Sequence, residues 1–254
     1  MSGATALLQA LEQFATLPRV LIAVDFDGTL APLVDEPMAA RALPGSLDVL
    51  TDLARLSDTV VAVVSGRDLS TLRQLTGVSD PVLLVGSHGV ETSYEEPAPQ
   101  PGPRERARFA ALEAELTDVL RAHPLARLER KPHSLVLHTR GLPEDAAATA
   151  LRAGQDVAGR HPDLQATPGK QVLELAVRHV GKGVALRDLA AARQVDATFY
   201  VGDDVTDERA FQDLAPTDLT VRVGPGQTLA RHRVDNERAV LRLLRALWAM
   251  RNAR

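Results

Sequence analysis

Five short apolar runs, each closing on a polar or glycine-rich turn, constrain the fold more than any other feature of this chain. Residues 20–24 run into Asp25, and 59–64 into Ser65-Gly66-Arg67. Residues 82–85 run into Gly86-Ser87-His88-Gly89, 199–201 into Gly202-Asp203-Asp204, and 219–223 into Gly224-Pro225-Gly226. The runs are rich in β-branched residues and apolar throughout, the pattern of strands buried on both faces. Helical periodicity fills intervals between them, at 46–56, 69–75, 184–192 and 236–250. Alternating strand and helix predicts an α/β fold with a parallel sheet. Ligands bind such sheets beyond the carboxyl ends of the strands, where all these polar clusters fall.

The alternation breaks at 95–103, which reads EEPAPQPGP. Such a stretch cannot join a central sheet and reads as a linker. A helix over 104–122 follows, then two paired strands at 125–130 and 134–140, then a helix over 143–159. A hairpin of 164–167 and 170–177 turns around Pro168-Gly169. This order predicts a small α+β domain with an antiparallel sheet, inserted into the α/β domain. The expected division is 1–100 for the first part of the core, 101–179 for the insertion and 180–254 for the rest of the core.

The bulk composition excludes several classes. A net charge of −4 argues against broad binding to nucleic acid or an anionic membrane. The absence of cysteine removes disulfides, thiolate metal sites and cysteine nucleophiles. No apolar run approaches the roughly 20 residues that span a bilayer. The N-terminal segment has Leu7, Leu8, Leu11 and Phe14 at helical spacing without the charged start of a secretory signal, so it reads as an amphipathic helix packed on the domain. A cytoplasmic location is expected, and a monomer is compatible with the sequence, which does not set the oligomeric state.

Two acidic clusters carry the chemistry. In Asp25-Phe26-Asp27-Gly28-Thr29 the carboxylates lie two residues apart at a strand end and point the same way, with Gly28 permitting a sharp turn. The segment 202–208, GDDVTDE, places Asp203, Asp204, Asp207 and Glu208 within six residues after a buried strand. Like charges so close repel unless a cation compensates them, and hard oxygen ligands on a loop suit magnesium with a substrate phosphate. Ser65, ending a strand before Gly66, has a hydroxyl and nearby backbone N–H groups that can hold phosphate oxygens. Lys182, between two glycines at a predicted helix start, can neutralise charge on a transferring group. Lysine otherwise occurs only at positions 131 and 170. No Ser–His–Asp set is evident, so a carboxylate is the natural nucleophile. Blander roles fit the same residues taken singly: Ser65 as a helix cap, His88 as a turn residue, the acids as a solvated helix start.

DFDGTL at 25–30, SGR at 65–67, GKG at 181–183 and GDDVTDE at 202–208, in that order, resemble the haloacid dehalogenase superfamily of phosphatases. That resemblance implies a Rossmann-like doubly wound core with an inserted cap. It assigns Asp25 as nucleophile and Asp27 as general acid, then base. It gives Ser65 and Lys182 to the phosphoryl oxygens, with Thr29, Gly66 and Arg67 completing the phosphate cradle. Magnesium would be held by Asp25, the Asp27 main-chain carbonyl and Asp203, with Asp207 in or just beyond its shell and Asp204 nearby. One departure is the segment 178–181, RHVG, which lacks the proline and acidic or polar residue often found before the lysine.

The insertion bears on substrate. Strand alternation puts Ser134, Val136, His138 and Arg140 on one face, and Leu135, Leu137 and Thr139 on the other. Hydroxyl, imidazole and guanidinium groups on one face, with carboxylates beside them, match the paired donors and acceptors that sugars need. Together with YVGDDVTDERAF at 200–211 and GSHGVE at 86–91, this is similar to trehalose-6-phosphate phosphatases. The similarity implies sugar contacts from Lys131, Arg140 and Glu174, and from His88, Glu129, Ser134 and His138. The expected partner is a small sugar phosphate. Phosphatases of sucrose phosphate or mannosylphosphoglycerate, a phosphomutase, and a non-catalytic sugar-phosphate-binding regulator remain open alternatives at this point.

Overall fold

All five apolar runs form strands. In chain order the first unit runs α1 (Gly3–Ala15), β1 (Val20–Asp25), α2 (Ser46–Ala54), β2 (Thr59–Val64), α3 (Leu69–Thr76), β3 (Val82–Gly86) and a short β4 (Glu91–Thr92). The insertion follows as α4 (Pro103–Ala122), β5 (Arg127–Arg130), β6 (Ser134–His138), α5 (Glu144–Gly159), β7 (Gln165–Gly169) and β8 (Val172–Ala176). The first unit resumes as α6 (Lys182–Arg193), β9 (Ala197–Gly202), α7 (Val205–Asp213), β10 (Leu219–Val223), β11 (His232–Val234) and α8 (Glu237–Asn252). This computed structural model describes residues 3–94, 102–131, 133–162, 164–177 and 180–254. Two units result, Met1–Glu96 with Val180–Arg254, and Pro97–His179.

The first unit holds a seven-stranded sheet in the order β11-β10-β9-β1-β2-β3-β4. Every pair is parallel except β3 with β4. The chain builds outward from β1 to β3 on one side, then returns to build outward from β9 on the other. The strand order therefore reverses at β1 and β9, the place where such sheets open a ligand crevice. Strand alternation sorts the core into two layers. Val20, Ile22 and Val24 of β1 pack with Leu11 and Phe14 of α1, Leu50 of α2 and Leu244 of α8. Leu21 and Ala23 face the other way, onto Leu186 and Leu189 of α6 and Phe211 of α7. Asp25 shares their parity, which aims its carboxylate towards the α6 side.

Some expectations shift. In α1, Leu7, Leu11 and Phe14 are buried as expected, but Leu8 is 47 % exposed, because it falls off the buried stripe. Pro103 does not belong to the linker; it opens α4, where its missing N–H is no loss. The rest of that proposed linker, 95–101, lies outside the described residues, as do positions 178 and 179 of the RHVG segment.

The second unit is a four-stranded antiparallel sheet, β5-β6-β8-β7. Leu135, Leu137, Leu173 and Leu175 pack beneath Phe109, Leu112 and Leu116 of α4 and Val157 of α5. Gly154 lets α5 approach closely, since a Cβ there would sit 2.9 Å from Leu173. The alternation predicted for β6 holds from Ser134 to His138, but the strand ends there. Arg140 therefore lies beyond it, exposed in the turn before α5, and does not extend the face. The hairpin also turns later than expected. Pro168 and Gly169 pair with Leu173 and Val172, and the tip is Lys170-Gln171, with Gln171 at φ +59°. Proline is tolerated there because β7 is an edge strand.

Candidate active site

Three neighbouring strands deliver the site. β1 ends at Asp25, paired with Val64 of β2, so Ser65 follows beside it. On the other flank Val24 pairs with Val201 of β9, which brings Gly202 and then Asp203 alongside. From the α6 side, Lys182 reaches in at the first position of its helix, 3 % exposed.

Lys182 organises the carboxylates. Its Nζ donates to Asp25 Oδ1 at 2.7 Å and to Asp207 Oδ1 at 2.8 Å. Asp207 is fully buried and takes four donors: Lys182 Nζ, the Tyr200 hydroxyl at 2.5 Å, and the backbone N–H groups of Asp203 and Asp204 at 2.9 and 3.0 Å. Asp204 caps α7, accepting from the N–H groups of Thr206 and Asp207 at 2.8 and 2.9 Å. The caps interlock, because Asp204 N–H donates to Asp207 while Asp207 N–H donates to Asp204.

Two glycines are required by close approach. Gly28 adopts φ +75°, and a Cβ there would lie 2.2 Å from Asp203 Oδ2. Gly202 is equally tight, with a Cβ 2.2 Å from Asp207 Cγ. The bare Gly28 lets the second acidic loop settle onto the first, and the bare Gly202 lets the Asp207 carboxylate fold back within its own loop.

Ser65 is buried, and its Oγ accepts from Arg67 N–H at 3.1 Å. The Arg67 side chain takes both Asp27 oxygens, Nε to Oδ2 and Nη2 to Oδ1, each at 2.7 Å. Thr29 is fully buried, and its hydroxyl has no hydrogen-bond partner among the described residues. Ser87, His88 and Gly89 all have positive φ, at +49°, +53° and +103°. The imidazole of His88 lies over Gly66, where a Cβ would come within 2.4 Å of it.

Burial drives the ionisation of this cluster. Asp25 is pushed well above the usual carboxylate range by desolvation, against the pull of Lys182. Asp203 rises to about 7 through burial, then through the charges of Asp207 and Asp204. Asp204 is also penalised by burial, but Lys182 and the hydrogen bonds from Thr206 and Asp207 win, holding it at about 2. Burial works against the Lys182 ammonium, yet the facing carboxylates raise its pKa well above the ordinary value. Oxygens of Asp25, Asp203 and Asp207 all lie within 4.8 Å of one another. Several buried carboxylates served by one lysine have an excess of negative charge, and an all-oxygen donor set of this size fits a hard divalent cation.

In the second unit, Glu174 accepts from Ser134 Oγ at 2.6 Å and from Lys131 Nζ at 3.4 Å. His138 Nε2 lies 2.8 Å from Glu129 Oε2. Both groups stand on the sheet face opposite α4 and α5. The structure thus brings together Lys131, Ser134 and Glu174, and separately Glu129 and His138, while Arg140 lies in the turn beyond β6. Tyr200 was not legible as a site residue, although a phenol two residues before Gly202 in an otherwise apolar buried strand is a usable signal.

This doubly wound sheet, with its inserted antiparallel unit and a carboxylate–lysine cluster at the strand reversal, is the architecture of the haloacid dehalogenase-like proteins. Within that class the chain belongs to the trehalose-phosphatase family, whose model matches residues 23–239. It is 34 % identical over 242 residues to a trehalose-phosphate phosphatase of Mycobacterium marinum, covering 90 % of this chain and 58 % of that protein. It is 35 % identical over 234 residues to one of Mycolicibacterium paratuberculosis, covering 86 % of this chain and 56 % of that protein. The chain thus spans little more than half the length of these curated relatives. The fold is shared with the C-terminal domain of Candida albicans trehalose-6-phosphate phosphatase, at a TM-score of 0.77 and 22 % identity over 98 % of this chain and 97 % of that one. The Aspergillus fumigatus enzyme matches at a TM-score of 0.67 and 25 % identity, over 96 % and 97 % of the two chains.

Proposed function

We propose that this chain hydrolyses trehalose 6-phosphate to trehalose and inorganic phosphate through an aspartyl-phosphate intermediate. The observation that carries the reading is the placement of Asp25, at the end of β1, within 2.7 Å of Lys182 and beside Asp203 and Asp207. Asp25 attacks phosphorus while the bond to the sugar oxygen breaks, and Asp27 gives that oxygen its proton. Asp27 then takes a proton from water as the water attacks phosphorus and frees Asp25. Lys182 and Ser65 hold the phosphoryl oxygens in line, so positioning and charge neutralisation supply most of the acceleration. Magnesium would be held by Asp25, the Asp27 carbonyl and Asp203, with Asp207 orienting the loop, and when bound it would neutralise charge on the phosphoryl oxygens.

Sugar selection falls to the second unit in this proposal. Lys131, Ser134 and Glu174 form one donor–acceptor group for sugar hydroxyls, with Glu129, His138 and Arg140 as further contacts; His88 belongs to the phosphate end. Among the described residues no helix is long and apolar enough to cross a membrane. We place the protein in the cytoplasm, with a small sugar phosphate as its partner and neither nucleic acid nor membrane.

Phosphate release across a panel of sugar phosphates, with and without magnesium, tests the reading. Trehalose 6-phosphate is expected to rank first and to require the metal. A higher kcat/KM for sucrose phosphate, or phosphate retained on an isomerised product, would replace the substrate or the reaction.

A further inference from the structure

We propose that Arg67 is the positioning residue of the acid/base carboxylate Asp27, and not a ligand of the phosphoryl group. The inference rests on the phosphatase reading and deepens it.

The geometry is a planar fork on a planar carboxylate. Nε and Nη2 each reach a different Asp27 oxygen at 2.7 Å, while Nη1 takes no part in the pair. Such a bidentate pair fixes both the direction and the plane of the carboxylate. Left alone, the terminal torsion of an aspartate is broad, so an unpaired Asp27 would spend little time aimed at a leaving oxygen.

Arg67 is itself held from several directions. Its N–H donates to Ser65 Oγ at 3.1 Å, and its carbonyl accepts from Ser87 N–H at 2.7 Å. The guanidinium carbon lies 5.8 Å from the centroid of the Phe26 ring. The His88 ring packs over Gly66 in the same turn. The Arg67 side chain is only 15 % exposed against 31 % for Asp27, so the arginine is the more enclosed member of the pair. The Ser65–Arg67 turn therefore does two jobs. Ser65 serves the phosphoryl end, and Arg67 serves the leaving-group end by orienting the residue that carries the proton. When the sugar oxygen engages one Asp27 oxygen, the other stays on Arg67 and preserves the aim.

The prediction turns on the leaving group. An alkoxide leaving from a sugar phosphate needs the Asp27 proton, whereas p-nitrophenolate does not. Values of kcat/KM report the first phosphoryl transfer on each substrate. With Arg67→Met, kcat/KM on trehalose 6-phosphate should fall about 100-fold, at the low end of what an acid/base group contributes. On p-nitrophenyl phosphate it should fall less than about 5-fold, and the inhibition constant of inorganic phosphate should stay within about 2-fold. In an Asp27→Asn background, Arg67→Met should add less than about 2-fold, because a residue acting through Asp27 has nothing left to act on. Arg67→Lys, a point charge without the fork, should restore only part of the loss.

Equal losses on the two substrates with weakened phosphate inhibition would make Arg67 a phosphate ligand and overturn the proposal. So would additive losses in the double variant, or no loss on either substrate. Arg67→Gln, which keeps a planar donor, takes the same measurements if the methionine variant does not fold. Failure of the unmodified protein to release phosphate from either substrate with magnesium would overturn the phosphatase reading itself, and this inference with it.

Discussion

Asp203 shows how single residues here are tuned by their surroundings. Burial, then the charges of Asp207 and Asp204, raise its pKa to about 7. A folded carboxyl that holds its proton longer than the unfolded one favours the folded state at low pH. The metal-free protein should therefore lose stability as pH rises from about 4 to about 7. A divalent cation competes with that proton, so the sign reverses for binding. Magnesium affinity should weaken roughly tenfold per pH unit below about 7 if one proton is displaced. Calorimetric titration at pH 6 and pH 8 checks this, with the magnesium-induced rise in melting temperature as a second readout. Identical affinity at the two pH values would remove Asp203 from the cation site. The sequence marked Asp203 as a candidate magnesium ligand after a strand, but it could not show that Gly28 lets the carboxylate settle against the first acidic loop, nor how far burial there raises its pKa.

At the scale of elements, the acidic loop and α7 work as one piece because Asp204 and Asp207 cap each other's backbone. Asp204→Ala removes a helix cap, a loss of about 1 kcal/mol, and also frees the backbone that holds Asp207. Asp204→Asn keeps an accepting oxygen and should recover most of the melting temperature. Turnover should track the cap: low in the alanine variant, largely restored in the asparagine variant. In the second unit, Glu174 is the shared acceptor of Ser134 and Lys131. Glu174→Ala should lower kcat/KM on trehalose 6-phosphate about 10-fold or more, the scale of one lost hydrogen bond from a charged, part-buried group, while leaving a small aryl phosphate nearly unaffected. Equal losses would place Glu174 outside sugar recognition. The central strands were readable because they are buried on both faces and apolar from end to end. β4 and β11, two and three residues long, carry no periodicity to read. Short, charge-rich α7 hides for the same reason. The hairpin tip moved from Pro168-Gly169 because an edge strand tolerates proline, which sequence cannot distinguish from a turn. The Arg67–Asp27 pair joins residues 40 positions apart, a contact that no local pattern announces.

Considered whole, the first unit separates chemistry from cohesion along the strand direction. The reactive groups gather where β1, β2 and β9 end, whereas the end of α1 and the end of α8 are tied together where β1 and β2 begin. Arg251 of α8, 7 % exposed, is the tie. Its Nε donates to Thr59 Oγ1, Nη1 to the carbonyls of Ala15 and Leu17, and Nη2 to those of Pro18 and Asp58. Arg254 adds further bonds to Ala15 and Leu17. One guanidinium thus links the end of α1, the entry to β1 and the entry to β2. Replacing it with methionine keeps much of the aliphatic stem but removes five hydrogen bonds, with Arg254 and Val20 still serving some of the carbonyls, a loss of about 1–3 kcal/mol. In a unit of this size that corresponds to a melting temperature lower by about 2–12 °C. Because the tie sits at the opposite strand ends from Asp25, kcat/KM per folded molecule should stay within about 2-fold of the unmodified protein at 20 °C. Denaturant unfolding read beside steady-state kinetics separates the two effects. A variant that unfolds normally, or one that stays folded yet loses turnover, would break the division between the end of the sheet that holds the molecule together and the end that does its chemistry.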